Sequence, residues 1–102
     1  MQVLATPQAV EYIRSRGGRV FVWAISMAYG YHPVFALEAA TEEPAGDHDF
    51  ERFEAGAIEV LLDTEGRDLP ESVHLDMKGR FRRSVRAYWN GNSFAQGSPG
   101  DG

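Results

Sequence analysis

Arg19-Val20-Phe21-Val22-Trp23-Ala24-Ile25 is apolar at every position after its first and rich in β-branched and aromatic side chains. A run of this kind predicts a well-buried strand. Immediately before it stand Gly17-Gly18, and glycine takes the left-handed conformation that ends a helix at little steric cost. The helix they end begins at Thr6-Pro7, a hydroxyl N-cap followed by proline where no N–H is needed. Ala9, Val10, Tyr12 and Ile13 then fall near one face at helical spacing, which predicts one short amphipathic helix over 7–16.

On the other side of the run the pattern stays β. Ser26–Pro33 is expected to break it, because it contains Gly30 and Pro33, and Val34–Ala39 reads as a second strand. Thr41–Asp49 reads as an acidic loop around Pro44 and Gly46. Phe50–Phe53 reads as a short strand, Ala55-Gly56 as a turn and Ala57–Asp63 as another strand. Thr64–Ser72 holds Gly66 and Pro70, and is expected to be a turn or a single helical turn. Val73–Met77 alternates, and Arg80–Trp89 alternates more clearly. There Phe81, Val85, Ala87 and Trp89 share the expected inner face, and Arg80, Arg82, Ser84, Arg86 and Tyr88 the outer one. Arg83 falls in the inner set, which predicts a bulge or a snorkelling stem. From Ser93 to Gly102 the chain is mostly Gly, Ser and other small residues, and a flexible tail is expected. The fold class is therefore α+β: one N-terminal helix with a mostly antiparallel or mixed sheet, as a domain over 1–92 and a tail over 93–102.

Composition narrows the chemistry. The 102 residues include no cysteine, which removes thiolate nucleophiles, disulfide exchange and cysteine metal sites. No apolar run approaches the ~20 residues that span a bilayer, and Met1–Pro7 lacks the basic flank of a signal peptide, so no membrane contact and a cytoplasmic location are expected. The net charge of −5 argues against nucleic acid as a partner. The charge is also uneven. Lys78, Arg80, Arg82, Arg83 and Arg86 crowd one stretch, whereas Glu38, Glu42, Glu43, Asp47, Asp49, Glu51 and Glu54 crowd another. Either both are solvated faces, or the row Lys78, Arg80, Arg82, Arg86 is a docking strip for an acidic protein partner, unless Glu59 or Asp76 neutralises it. The sequence names no partner, and a homo-oligomer is compatible with it.

The order of elements, with Thr6-Pro7-Gln8-Ala9 opening the helix, Gly56 before the Ile58–Leu62 strand and Asp63 closing it, resembles the A-type iron–sulfur carriers of the HesB-like (IscA-like) family. Leu75-Asp76-Met77 and Asn90-Gly91-Asn92 extend the resemblance, which runs from Leu4 to Asn92. It implies a HesB-like fold and a carrier ancestry. The family's chemistry rests on one cysteine in a Gly-Cys-x-Gly loop and a Cys-Gly-Cys pair in the tail. The loop falls here at Tyr29-Gly30-Tyr31-His32 and the tail gives Ala95-Gln96-Gly97-Ser98, with no thiolate at either place.

Other chemistry is sparse. His32, His48 and His74 show no metal-ligand spacing, although His48 is flanked by Asp47 and Asp49. Ser26, Ser72 and Ser84 lie in no nucleophile-elbow context, and the loop carboxylates are solvated. No catalytic, cofactor-binding or metal-binding residue is assigned and no cofactor is expected. The resemblance, taken with the missing thiolates, implies a non-enzymatic HesB-like domain that has lost cysteine-based cluster binding and serves as an accessory or regulatory protein-interaction module. The alternative is a small metal- or ligand-binding protein using His32 with Tyr29 or Tyr31 and nearby acids.

Overall fold

The computed structural model describes the chain except residues 30–31, 80–82, 93–94 and 97–102, and the side chains of 27–29, 32–33 and 95–96. The chain runs β1 (Gln2–Ala5), α1 (Pro7–Ser15), β2 (Arg19–Tyr29), β3 (His32–Ala40), β4 (Glu51–Ala55), β5 (Ile58–Asp63), β6 (Ser72–Lys78), β7 (Ser84–Trp89) and β8 (Ala95–Gln96). Among the described residues, one helix and mixed sheets make an α+β domain.

The helix forms where its end signals place it. Thr6 Oγ1 accepts from the Ala9 amide at 3.2 Å, and Pro7 occupies the first helical turn. At the other end Gly18 N donates to the Ile13 carbonyl at 2.9 Å and Gly17 N to that of Arg14 at 3.3 Å. Those two bonds make a Schellman cap, with Gly17 at φ 114° and Gly18 at φ 83°. Ala9 and Ile13 are fully buried on the inner face of α1.

The strands divide into a three-stranded sheet, β1-β6-β7, and a five-stranded sheet, β4-β5-β2-β3-β8. β1 runs parallel to β6 and β2 parallel to β5, while the remaining pairs are antiparallel. Val20, Val22, Val60 and Leu62 from one sheet and Val73, Leu75, Val85 and Ala87 from the other close on Ala9 and Ile13 in one core.

Several elements differ from the sequence reading. Ser26–Pro33 does not break the sheet: β2 continues to Tyr29, and β3 starts at His32, so the two form a long hairpin in register from Phe21↔Ala40 to Tyr29↔His32. Cross-strand pairing over nine positions overrides the local effect of Pro33, which stands opposite Ala28. β4 is shifted to Glu51–Ala55 and the turn to Gly56-Ala57. Residues 64–71 keep to the first of their two expected forms, with a turn at Glu65-Gly66. β1 is an addition, and so is β8, whose Ala95 and Gln96 pair with Phe35 and Val34 inside the stretch expected to be a free tail. Arg83 precedes β7 and is exposed, so neither a bulge nor a buried stem is needed. The alternation expected for 84–89 holds, with Val85 and Ala87 buried and Ser84 and Arg86 exposed.

Candidate functional site

The outer face of the five-stranded sheet is built by strand alternation. Val20 and Val22 point into the core, so Arg19, Phe21 and Trp23 point away from it. Their partners across the parallel pair are Glu59, Leu61 and Asp63. Phe21 is nonetheless only 7% exposed, because the acidic loop folds back over it. Phe50 packs edge-on against Phe21 at 5.3 Å between centroids, and His48 stacks on Phe50 at 5.1 Å and lies 5.8 Å from Trp23.

Asp63 fastens this loop. One carboxylate oxygen, Oδ2, accepts from His48 Nδ1 at 3.0 Å and from the Asp49 amide at 3.3 Å. The other, Oδ1, accepts from the Glu65 amide at 2.9 Å. An ionised carboxylate can only accept, so a proton is assigned to His48 Nδ1. Burial of Asp63 pushes its carboxyl up, but the bonds from Glu65, His48 and Asp49 outweigh burial and hold it below the ordinary carboxylate range. Around it Asp47, Asp49, Glu51, Thr64, Glu65 and Gly66 line an open groove.

A histidine oriented by a carboxylate is half of a nucleophile-activating arrangement, but among the described residues no hydroxyl is hydrogen-bonded to His48. Thr64, the hydroxyl lining the groove, donates to the Arg67 carbonyl at 2.7 Å and is engaged in its own turn. Among the described residues no three His, Asp or Glu side chains are grouped to hold a metal ion. His48, singled out in the sequence for its flanking acids, therefore spends its Nδ1 on holding a loop. His74 sits on β6 opposite Tyr88, with Nε2 3.2 Å from Ser72 Oγ. The side chains of Tyr29 and His32, and all of Gly30 and Tyr31, lie outside the described residues.

The basic strip is placed by the β6–β7 pair. Lys78 and Arg86 are exposed, with Lys78 opposite Ser84 and Arg86 opposite Asp76. Arg80 and Arg82 lie outside the described residues. Of the two acids considered as neutralising partners, Asp76 reaches Arg86 Nε at 3.5 Å. Glu59 does not serve the strip, since it sits between Arg19 at 3.0 Å and Arg52 at 2.8 Å on the other sheet. A long, exposed ion pair such as Asp76–Arg86 contributes ~0–1 kcal/mol and leaves the guanidinium accessible. The same guanidinium lies 5.3 Å over the Tyr88 ring. Burial and the Asp76 carboxylate together push the Tyr88 hydroxyl above its usual range, against the opposing effect of Arg86. Beside the strip, Ala36–Ala39 of β3 and Ser84–Tyr88 of β7 line a shallow groove with Lys78.

Comparison with protein-family models, with curated proteins and with solved structures returns no match.

Proposed function

We propose that this chain is a non-enzymatic domain of HesB-like architecture that does not carry an iron–sulfur cluster and acts through protein contacts. What supports the reading is the work done by the positions that carry the resemblance. Thr6 caps α1, Gly56 turns β4 into β5 at φ 61°, and Asp63 holds the acidic loop. Asn90 ties the end of β7 to β6, its amide donating to the Ser72 carbonyl at 2.8 Å and its Oδ1 accepting from the Ser72 amide at 3.0 Å. All of these organise backbone. The thiolates that hold iron and sulfide have no counterpart in a sequence without cysteine. The residues that shape the fold are thus kept while those that bind cargo are absent, and a fold can outlast its chemistry.

Anaerobic reconstitution with iron and sulfide tests the first half: the protein is expected to stay colourless and free of bound sulfide, and a stable brown species overturns the reading. The second half places an acidic protein partner on Lys78, Arg80, Arg82 and Arg86, since arginine forks onto carboxylates. Changing Arg80, Arg82 and Arg86 together to Ser is expected to leave the fold intact and to weaken a partner captured from native extract, whose binding to the wild type fades as salt rises. Retention of every partner at wild-type affinity removes the strip from the reading.

A further inference from the structure

Arg19, Arg52 and Arg86 pair with carboxylates, and all three are exposed. Arg67, in the turn between β5 and β6, is half-buried, and among the described residues it forms no ion pair. Its acidic neighbours in sequence, Glu65 and Asp68, are exposed and do not reach it. The Arg67 guanidinium lies 4.3 Å over the ring of Phe35, which is buried. Nη1 donates to the Thr64 carbonyl at 3.2 Å and Nη2 to Ser26 Oγ at 3.4 Å, both neutral acceptors. Nε is buried and has no hydrogen-bond partner.

Buried polar groups in folded proteins are hydrogen-bonded with few exceptions. A guanidinium also keeps its charge across the whole working pH range. Enclosing such a charge is costly unless an opposite charge meets it. Attraction to the face of Phe35 offsets part of that cost but leaves the positive charge in place.

The turn fixes the group where it stands. Thr64 Oγ1 donates to the Arg67 carbonyl at 2.7 Å, and the Glu65 amide is held by Asp63 at 2.9 Å. Glu65 sits at φ 53° and Gly66 at φ 82°, so these bonds hold Glu65 against its own preference. Ser26, exposed and opposite Phe35 in the β2–β3 pair, completes the arrangement. Its hydroxyl oxygen accepts from Arg67, which leaves its own proton to donate. A cationic donor and a hydroxyl donor thus meet at the exposed edge of the guanidinium.

We propose that Arg67 and Ser26 form a binding site for a small oxyanion, a phosphate or a carboxylate group, which supplies the counter-charge that no described side chain does. The overall field of a chain with net charge −5 does not gather anions, so saturable binding has to come from local donors.

Titration of the full chain with inorganic phosphate, and separately with acetate, tests this on the Arg67 Nε–H resonance, with ionic strength held constant by sodium chloride. A saturable shift is expected, and the anion that saturates at lower concentration tells phosphate from carboxylate. Ser26→Ala is expected to weaken binding ~10-fold, the loss of one hydrogen bond to a charged group. Arg67→Met keeps an apolar stem over Phe35 and removes the charge. It is expected to be at least as stable as the wild type in chloride, and to lose the rise in melting temperature that the wild type takes from the anion. Phosphate strengthens apolar burial in any protein, so a rise that Arg67→Met keeps in full overturns the proposal. So does an Arg67 resonance that saturates with neither anion, a result that needs no variant to fold.

Discussion

Asp63 is a charged side chain buried among the described residues, and its bonds set its worth. Asp63→Asn keeps the size but removes the charge and places an amide where an acceptor is needed. The expected loss is about 1–3 kcal/mol at neutral pH, measured by urea denaturation. The pH dependence follows from the direction of its shift. A carboxyl held below its ordinary 3.8 in the folded state contributes stability above that value and loses it as pH falls through the folded value. The gap between wild type and Asp63→Asn should therefore narrow only below the ordinary 3.8. A gap that stays constant into strong acid would show that shape, not charge, holds the loop. Asn90 gives a second residue-scale expectation. It sits at φ 50°, in the left-handed region, and also bonds Ser72 through its side chain. Asn90→Gly loses the bond but relieves the backbone, whereas Asn90→Ala loses the bond and adds about 1–2 kcal/mol of left-handed strain. The expected order of melting temperature is wild type, then Asn90→Gly, then Asn90→Ala. Neither role is legible from local sequence. Asp63 meets His48 across fifteen positions, inside a loop whose acidic composition reads as solvated.

Elements with their own end signals are legible in the sequence, and those defined by a distant partner are not. α1 carries a cap, a proline and a glycine stop within its own span, so 7–16 reads nearly to the residue. Thr6→Ala is expected to cost about 1 kcal/mol, seen as a lower denaturation midpoint with an unchanged slope. The β2–β3 hairpin is hidden because Gly30 and Pro33 are local punctuation, whereas the register from Phe21↔Ala40 onward is a property of two strands together. β1 escapes notice for the same reason: four residues have too short a period to announce a strand, and β1 exists because β6 pairs with it in parallel. Within the acidic loop the ring of His48 is visible, but its place between Phe50 and Trp23 is not. His48→Ala should uncover Trp23 and shift its emission to the red in a Trp89→Phe background. Unchanged emission would mean that Phe50 alone covers this face.

At the scale of the molecule, one core decides how the two sheets behave. Ala9 and Ile13 of α1 touch a cluster that includes Val60 and Leu62 of one sheet and Val73 and Leu75 of the other. The buried cluster between the sheets draws on both of them, so neither sheet can lose its partner and keep its inner face dry. A three-stranded sheet this short is not expected to persist once its inner face is wetted. Unfolding should therefore be a single cooperative transition, with far-UV circular dichroism and tryptophan emission giving the same midpoint. Leu75, 1% exposed at the centre of β6, is the sharpest probe of this coupling. Leu75→Ala should cost about 2–5 kcal/mol, a large share of the ~5–15 kcal/mol typical of a whole domain. Trp23 reports on the outer face of the five-stranded sheet. Trp89, whose ring packs edge-on against Phe35 at 4.8 Å, reports on the seam between β7 and β3. Trp89→Phe and Trp23→Phe backgrounds therefore read the outer face and the seam separately. Both should shift to lower denaturant by the same amount when Leu75 is truncated. If Trp23 keeps its wild-type midpoint while Trp89 moves, the three-stranded sheet detaches from a five-stranded sheet that stays folded, and the shared core does not couple them.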